Sequence, residues 1–327
     1  MIDPRRLALL REVVRHGSFS RAARALFLTQ PAVSRQVAKL EQEAGVRLLE
    51  RSPAGLRLTD AGRVALERAD AIAGQLAAAE AELEAIATLG AGRLRLCAFP
   101  TAASTLVLEA VQVFRRRHAA VELSFLEAGT RAAVQRLREG DVELAVAFRE
   151  RGHPAPASWA GLRAEHLLVD PLYVAIAKDH PLAAKDAIRL RDLRTEPWIQ
   201  AVQAGPTGIT YRACVAAGFE PRIVHLSDHA PITQGLVAAG LGVTMISSLS
   251  VPQARKDIAI RSLKPSGPER DVFAVSLEGA LRPPAITAMV EILRELAPRY
   301  EPARKSAAVR PSSVRASGFA PRETSSS

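Results

Sequence analysis

The chain has 327 residues, 48% of them hydrophobic and 24% charged. That is ordinary globular composition and enough length for two or three folding units, which excludes a wholly disordered or fibrous chain. Lys and Arg number 44 against 34 Asp and Glu, a net charge of +10 that suits a polyanionic partner, and two cysteines exclude a disulfide scaffold. One long uncharged run, His229 to Gln253, is broken by Gly235, Gly240, Gly242, Ser247, Ser248 and Pro252. It reads as a buried helix and then a buried strand, so no membrane association is expected. Ile2-Asp3-Pro4-Arg5-Arg6 has no apolar export core, and the expected location is the cytoplasm, at the nucleoid.

The charge is unevenly spread. From Met1 to Gly62 eleven basic residues face six acidic ones, and from Glu301 onward five face two. Asp3 and Pro4 start a first helix with Leu7, Leu10 and Val14 at helical spacing, and Gly17 ends it. Ser18 or Ser20 can cap a second helix carrying Ala22, Ala23 and Leu26. After a tight corner at Phe27-Leu28, Thr29 can cap a third helix from Gln30-Pro31 to about Gly45, apolar at Val33, Val37 and Leu40. Two short helices at such a corner place a helix N-terminus in a major groove. The opposite face of the third helix shows Gln30, Pro31, Ser34, Arg35 and Lys39. Arg and Gln can each make two hydrogen bonds to a base edge, and Ser34 and Lys39 suit phosphates. Arg47 to Arg51 and Leu56 to Leu58 read as the strands of a β-wing around Ser52-Pro53-Ala54-Gly55, with Arg51 and Arg57 beside the DNA backbone.

The run from Gly17 through Ala22-Ala23 and Leu26 to Thr29-Gln30-Pro31-Ala32-Val33-Ser34-Arg35-Gln36 continues with Leu40-Glu41, Gly45, Leu48, Arg51 and Leu58-Thr59-Asp60-Ala61-Gly62. It resembles the DNA-binding domain of LysR-type transcriptional regulators, with Leu49 where that family usually has Phe. The resemblance implies that Gln30, Pro31, Ser34 and Arg35 face bases and that the wing lies on the backbone. Its further implications are an interrupted palindromic operator in double-stranded DNA, a small-molecule effector, a homodimer or homotetramer, and RNA polymerase as a further partner.

Thr59-Asp60 starts a long helix running to about Thr88-Leu89, and Ile72, Leu76, Ala79, Leu83 and Ile86 form a heptad seam expected to dimerise. From Arg93 the pattern alternates: strand to Ala98, helix Ser104–Arg117, strand Val121–Leu126, helix Arg131–Glu139 and strand Val142–Phe148. Such a βαβαβ unit predicts a mainly parallel sheet. Strands near Leu167–Val169, Leu172–Ala177, Trp198–Gln200, Arg222–Leu226 and Val243–Ile246 follow, with helices near Thr210–Ala217 and Pro231–Ala239. Strand Asp271–Leu277 and helix Pro284–Leu296 return to the first lobe through crossovers near Phe148–Arg149 and Arg261–Ser262. This part resembles the periplasmic-binding-protein-like effector domain of the same family.

The expected architecture is therefore α/β overall. It comprises a winged helix-turn-helix over residues 1–60, a linker helix over 61–91 and a two-lobed effector domain over 92–298. Lobe I takes about 92–148 and 262–298, lobe II about 149–261, and a disordered basic tail covers 299–327. A ligand in such a cleft binds at strand C-termini and helix N-termini. Phe99 to Ser104 and Ala204 to Gly208 join strands to helices, and Thr101, Ser104, Thr130, Phe148, Thr207 and Ser227 are the candidate effector residues. A helix N-terminus there favours an anionic metabolite.

Cys97 and Cys214 read as small core residues, and His225-Leu226-Ser227-Asp228-His229 reads as a loop rather than a metal site. Gly240-Leu241-Gly242 lacks the third glycine of a dinucleotide loop, and no nucleophile–base pair emerges. Neither an enzyme nor a cofactor is expected. The alternative to a ligand-responsive regulator is one that works through DNA alone, with a degenerate or differently used sensor domain.

Overall fold

The computed structural model describes residues 2–52, 55–87, 92–202, 208–278 and 282–301. Thr207 and the basic tail beyond Glu301 lie outside them. Helix α1 (Pro4–His16) begins where the Asp3 carboxylate accepts the Arg5 N–H at 2.9 Å, and it ends at Gly17 with a φ of 62°. Helix α2 (Phe19–Ala25) is capped by the Ser18 hydroxyl, which accepts the Arg21 N–H at 3.1 Å. Helix α3 (Gln30–Ala44) ends at left-handed Gly45; Thr29 occupies the capping position, but its side chain makes no capping bond. Leu7, Leu10, Val13, Ala22, Ala23, Val33, Val37 and Leu40 share one buried cluster, with Val14 only at its margin. At the α2–α3 corner Phe27 adopts a φ of 56° with its side chain 96% exposed.

Strands β1 (Leu49–Ser52) and β2 (Gly55–Leu58) pair antiparallel as the wing. Glu41 of α3 anchors it, its carboxylate accepting the N–H groups of Leu48 and Leu49 at 2.7 and 3.1 Å. The Thr59 hydroxyl donates to the Arg47 carbonyl and accepts the Gly62 N–H, so it caps helix α4 (Asp60–Ala87) and ties it to the wing. Gly62 is required by this junction, since a Cβ there would stand 2.0 Å from the Leu48 carbonyl oxygen.

The effector region opens with β3 (Arg93–Ala98), the single turn α5 (Pro100–Ala102), a π-helical turn over Ala103–Val107 and α6 (Leu108–Arg117). The helical path thus begins four residues before the expected Ser104. Strand β4 (Glu122–Glu127), helix α7 (Thr130–Glu139) and strand β5 (Leu144–Glu150) complete a parallel β4-β3-β5 unit. Strand β6 (Leu162–Ala177) is one strand of 16 residues where two were expected. Its first part pairs with β12 (Glu269–Leu277), and its second part pairs with β10 (Thr244–Ser247) and β11 (Ile258–Lys264). Pro171 falls where β6 exchanges these partners, so the proline does not end the strand.

Strand β7 (Ala187–Arg189) lies parallel to β11; β8 (Pro197–Gln200) and β9 (Arg222–Leu226) form a separate parallel pair. Helices α8 (Ile209–Ala216) and α9 (Ala230–Ala238) cover this second half, and α10 (Pro284–Leu296) returns to pack with the first. The sheet order is β4-β3-β5-β12-β6-β11-β7, with β10 also on β6. The sheet is mixed rather than mainly parallel, because β6 runs antiparallel to β10, β11 and β12. It passes between lobes within β6 at Asp170-Pro171 and again in the turn from Lys264 to Glu269. The sequence pattern suggested Phe148–Arg149 and Arg261–Ser262 instead, but β5 extends to Glu150 and β11 to Lys264.

Helix α4 faces two ways. Ala61, Ala65 and Ala69 join the core of the DNA-binding region. Asp70 is buried beneath α7, where Gln135 donates to it at 3.1 Å, and at Gly74 a Cβ would stand 2.7 Å from the Arg138 carbonyl oxygen. Helix α1 reaches the same helix: the Arg11 guanidinium donates to the Glu139 carbonyl at 3.3 Å and Arg15 lies 3.7 Å from Asp141. On the seam, Ile72 and Leu76 stay 36% and 59% exposed, while the side chains of Leu83 and Ile86 lie outside the described residues.

A bulky residue at positive φ costs roughly 1–2 kcal/mol, and the exposed Phe27 ring buries nothing to offset it. Phe27→Asn is expected to stabilise the isolated DNA-binding region by about 1 kcal/mol in urea unfolding. Burial raises the Asp70 pKa and nearby Glu139 adds to the shift, against the Gln135 hydrogen bond and Arg11 and Arg138. A carboxyl with a raised folded pKa opposes folding when ionised, and that penalty fades as pH falls through the folded value. Asp70→Asn, which keeps an acceptor for Gln135, is expected to melt above the wild type at about pH 8. The two melting temperatures should converge toward about pH 4, near the unfolded pKa.

Candidate nucleic-acid interface and interlobe cleft

The polar face of α3 forms because Val33, Val37 and Leu40 turn inward. Gln30, Pro31, Arg35 and Lys39 are exposed on it and Ser34 is half-buried. Arg35 and Lys39 have no ion pair or hydrogen bond among the described residues, so both charges are available to a polyanion. Gln36 is occupied, accepting from Arg6 Nε at 2.9 Å, and Arg6 also pairs with Glu43, locking α1 to α3. Arg57 is exposed on β2 opposite Glu50. Arg51 pairs with Leu56 across the wing, and its side chain lies outside the described residues.

A second site forms where the lobes meet. Arg270 at the start of β12 is 8% exposed and Asp170 is fully buried. Arg270 Nε donates to Asp170 Oδ2 at 2.9 Å, Nη2 bonds the same oxygen, and Nη2 also donates to the Thr101 hydroxyl at 3.2 Å. The second lobe closes the pair: the Ser248 hydroxyl donates to Asp170 Oδ1 at 2.8 Å, with the Leu249 N–H at 3.4 Å. Phe148 and Phe99 enclose the guanidinium at 4.4 and 5.1 Å from their ring centres and meet each other edge to face at 4.9 Å. Arg270 Nη1 has no described partner. Thr101, which Nη2 holds, lies in the first turn of α5, whose amides a helix leaves without internal acceptors.

Of the expected effector residues, the structure brings Thr101 and Phe148 together at this point. Thr130 is adjacent, its hydroxyl accepting the Phe148 N–H at 3.1 Å. Ser104 is exposed, and its hydroxyl turns back to the Thr101 carbonyl at 3.4 Å; Gln253 of the second lobe donates to the Ser104 carbonyl at 2.6 Å. Ser227 is engaged in its own turn, its hydroxyl accepting the His229 N–H at 3.2 Å before α9. Sequence reasoning did not find Arg270 or Asp170. The available signal was Asp170 set between the apolar stretches Leu167–Val169 and Leu172–Ala177; Arg270, flanked by Glu269 and Asp271, stood out less.

Two family models match the chain. The bacterial regulatory helix-turn-helix model of the lysR family covers residues 4–63, and the LysR substrate-binding domain covers residues 87–298. The chain belongs to the LysR family of transcriptional regulators. It is similar to the HTH-type transcriptional regulator AlsR of Bacillus subtilis, with 30% identity over 75% of this chain and 80% of that one. Full-length OxyR of Pseudomonas aeruginosa has a similar fold, with a TM-score of 0.63, 24% identity and coverage of 94% of this chain and 99% of the other. CbnR in complex with its target DNA matches with a TM-score of 0.57 and 23% identity over 90% of this chain and all of that one. As a LysR-type regulator the chain binds DNA and senses a small-molecule effector through its substrate-binding domain.

Other chemistries find little support in this fold. Both cysteines are buried, and burial raises their thiol pKa values, Cys214 to about 12, so neither carries the accessible low-pKa thiolate of a redox sensor. The loop at Ser227-Asp228-His229 is occupied by backbone bonds, Asp228 accepting the Val202 N–H at 2.9 Å. Among the described residues no helix is long and apolar enough to cross a membrane.

Removing one partner of a buried ion pair strands the other charge and typically costs about 3–5 kcal/mol. Asp170→Asn is expected to destabilise the effector domain by that order in denaturant unfolding. Adding Arg270→Gln should recover part of the loss, giving a large coupling in a double-mutant cycle.

Proposed function

We propose that this LysR-type regulator recognises an acidic small molecule at the junction of Thr101, Phe148 and Arg270, and that binding there alters how its dimers hold DNA. The observation that carries the reading is the Arg270–Asp170–Ser248 chain. It spans both lobes, leaves one guanidinium nitrogen without a described partner, and sits beside a helix N-terminus. An anion there gains from the dipole and the free donors. Phe99 and Phe148 add an apolar wall that suits a ligand with a flat or aliphatic body. Thr101, Thr130 and Phe148 form or flank the pocket, and Ser104 and Ser227 border it more distantly. The effector acts by population shift between lobe arrangements. The protein is a regulator without catalytic activity or cofactor, working on the chromosome in the cytoplasm, with the domain division 1–60, 61–91 and 92–298.

On DNA, Gln30, Pro31, Ser34 and Arg35 face base edges, and Lys39, Arg51 and Arg57 hold the backbone. A dimer built on the exposed Ile72–Leu76 seam offers two such faces to half-sites about 34 Å apart or a multiple of that. Further self-association would use exposed apolar side chains on the outer strands, Phe125 and Leu126 on β4 and Val224 and Leu226 on β9.

A panel of carboxylate metabolites screened by thermal shift on the full chain tests the cleft. A ligand at 100 times its dissociation constant adds about 2.7 kcal/mol. The expected result is a selective hit that Thr101→Val weakens at least tenfold while operator affinity is unchanged. An undiminished response in Thr101→Val removes the pocket from this reading. In parallel, Arg35→Ala should lose about 1–3 kcal/mol on the operator and much less on random DNA. Equal losses on both would make Arg35 a phosphate contact.

A further inference from the structure

A cavity of about 1220 Å³ lies apart from Thr101 and Arg270, between α8, the residues following β7 and the turn joining β11 to β12. Arg189, Arg191, Arg212 and Lys264 line it, and Glu150 is the one acid among its lining residues. Glu150 is committed to Arg212, which donates from Nε at 2.9 Å. The side chains of Arg189, Arg191 and Lys264 make no ion pair or hydrogen bond among the described residues.

Arg189, Arg191 and Lys264 are exposed, so solvent screens part of their mutual repulsion, but no acid offsets it within the cavity lining apart from Glu150. Arg189 and Lys264 are register partners on the adjacent strands β7 and β11, and like charges directly opposite one another destabilise a sheet. The wall that holds Lys264 is also tightly set: at Gly267 a Cβ would stand 2.7 Å from the Leu172 carbonyl oxygen, so the turn is pressed against β6. The two strand partners and Arg191 therefore concentrate uncompensated positive charge around one concave space.

We propose that this cavity is a second anion site, distinct from the interlobe cleft, which takes a small phosphate-bearing metabolite. A single phosphate ester brings about −1.5 to −2 charge at neutral pH and three acceptor oxygens. Arginine forks match those oxygens bidentately. A monocarboxylate would neutralise only one of three free cations. The site also has a mechanical position, because the Lys264–Glu269 turn is the second passage of the chain between lobes. An anion that draws the Lys264–Glu269 turn toward Arg189 and Arg191 bears on that passage between lobes, so the two ligands would alter each other's affinity.

The test uses the full chain with inorganic pyrophosphate as probe, at constant ionic strength, read by thermal shift and titration calorimetry. Pyrophosphate is expected to raise the melting temperature saturably in the wild type. In Arg189→Gln/Lys264→Gln the apparent dissociation constant should rise at least tenfold. That variant should also melt at or above the wild type without anion, because the repulsion is gone. Thr101→Val and Arg35→Gln/Lys39→Gln should keep the wild-type response. Loss of the response in either of those would place the anion in the cleft or on the DNA face and overturn the proposal. An unchanged response in Arg189→Gln/Lys264→Gln overturns it as well. So does a lower melting temperature of that variant without anion accompanied by a smaller sedimentation coefficient, which would assign the cations to an interface between copies. Should the double variant not fold, Lys264→Gln alone carries the same comparison.

Discussion

The buried pair between Asp170 and Arg270 is the constraint around which the effector domain is arranged. Two charges removed from water survive only when nearly every lone pair and proton has a partner. Here the partners come from every direction: the Ser248 hydroxyl and Leu249 N–H from the second lobe, the Thr101 hydroxyl from the first, and two aromatic faces around the guanidinium. Because Asp170 lies where β6 exchanges one set of partners for another, any change in the angle between lobes must stretch or rebuild this network. A ligand that bonds Arg270 therefore acts on the hinge itself.

From the cleft toward the DNA-binding region the contacts run through one rigid element. The N-terminal residue of α7, Thr130, holds the Phe148 amide. Toward its C-terminal end Gln135 holds Asp70 of the linker helix, while the Glu139 carbonyl and Asp141 receive Arg11 and Arg15 of α1. A ten-residue helix is stiff over its length. Displacement of Phe148 by a ligand would thus be transmitted as tilt of α7 against α4. The contacts of α1 at the far end are ionic or polar and partly open to solvent, which makes them inexpensive to exchange. That suits a joint with two arrangements better than an apolar weld would.

Local signals made most helices legible in the sequence. Asp3, Ser18, Gly17 and Gly45 mark helix ends by hydrogen bonds and left-handed glycines, and these depend only on neighbours in the chain. Thr29 shows the limit, since a residue of the right type occupies the capping position without making the bond. The mixed sheet was less legible, because the direction of β6 against β10, β11 and β12 is set by where the chain crosses between lobes and not by its own pattern. Asp170-Pro171 looked like a break in an apolar run for the same reason. Arg270 and Asp170 are 100 positions apart, so neither charge could be assigned its partner from spacing. Thr101 was accessible because a strand end followed by a helix start is a local signal with a known use, and Phe148 because it was read as a loop end facing the gap, although it lies within β5.

The linker helix joins these levels. Its inner face packs Ala61, Ala65 and Ala69 on the DNA-binding core and presents Asp70 and Gly74 to α7 within the same chain. Its outer seam leaves Ile72 and Leu76 open, lining a groove with Arg68 and Gln75 that another helix can fill. One helix cannot shift against α7 without moving the surface it offers to a second copy. In the dimer proposed above, the separation of two recognition helices on DNA is set across that surface. On that proposal effector occupancy and half-site spacing are coupled by geometry, with no change required in the exposed side chains of α3.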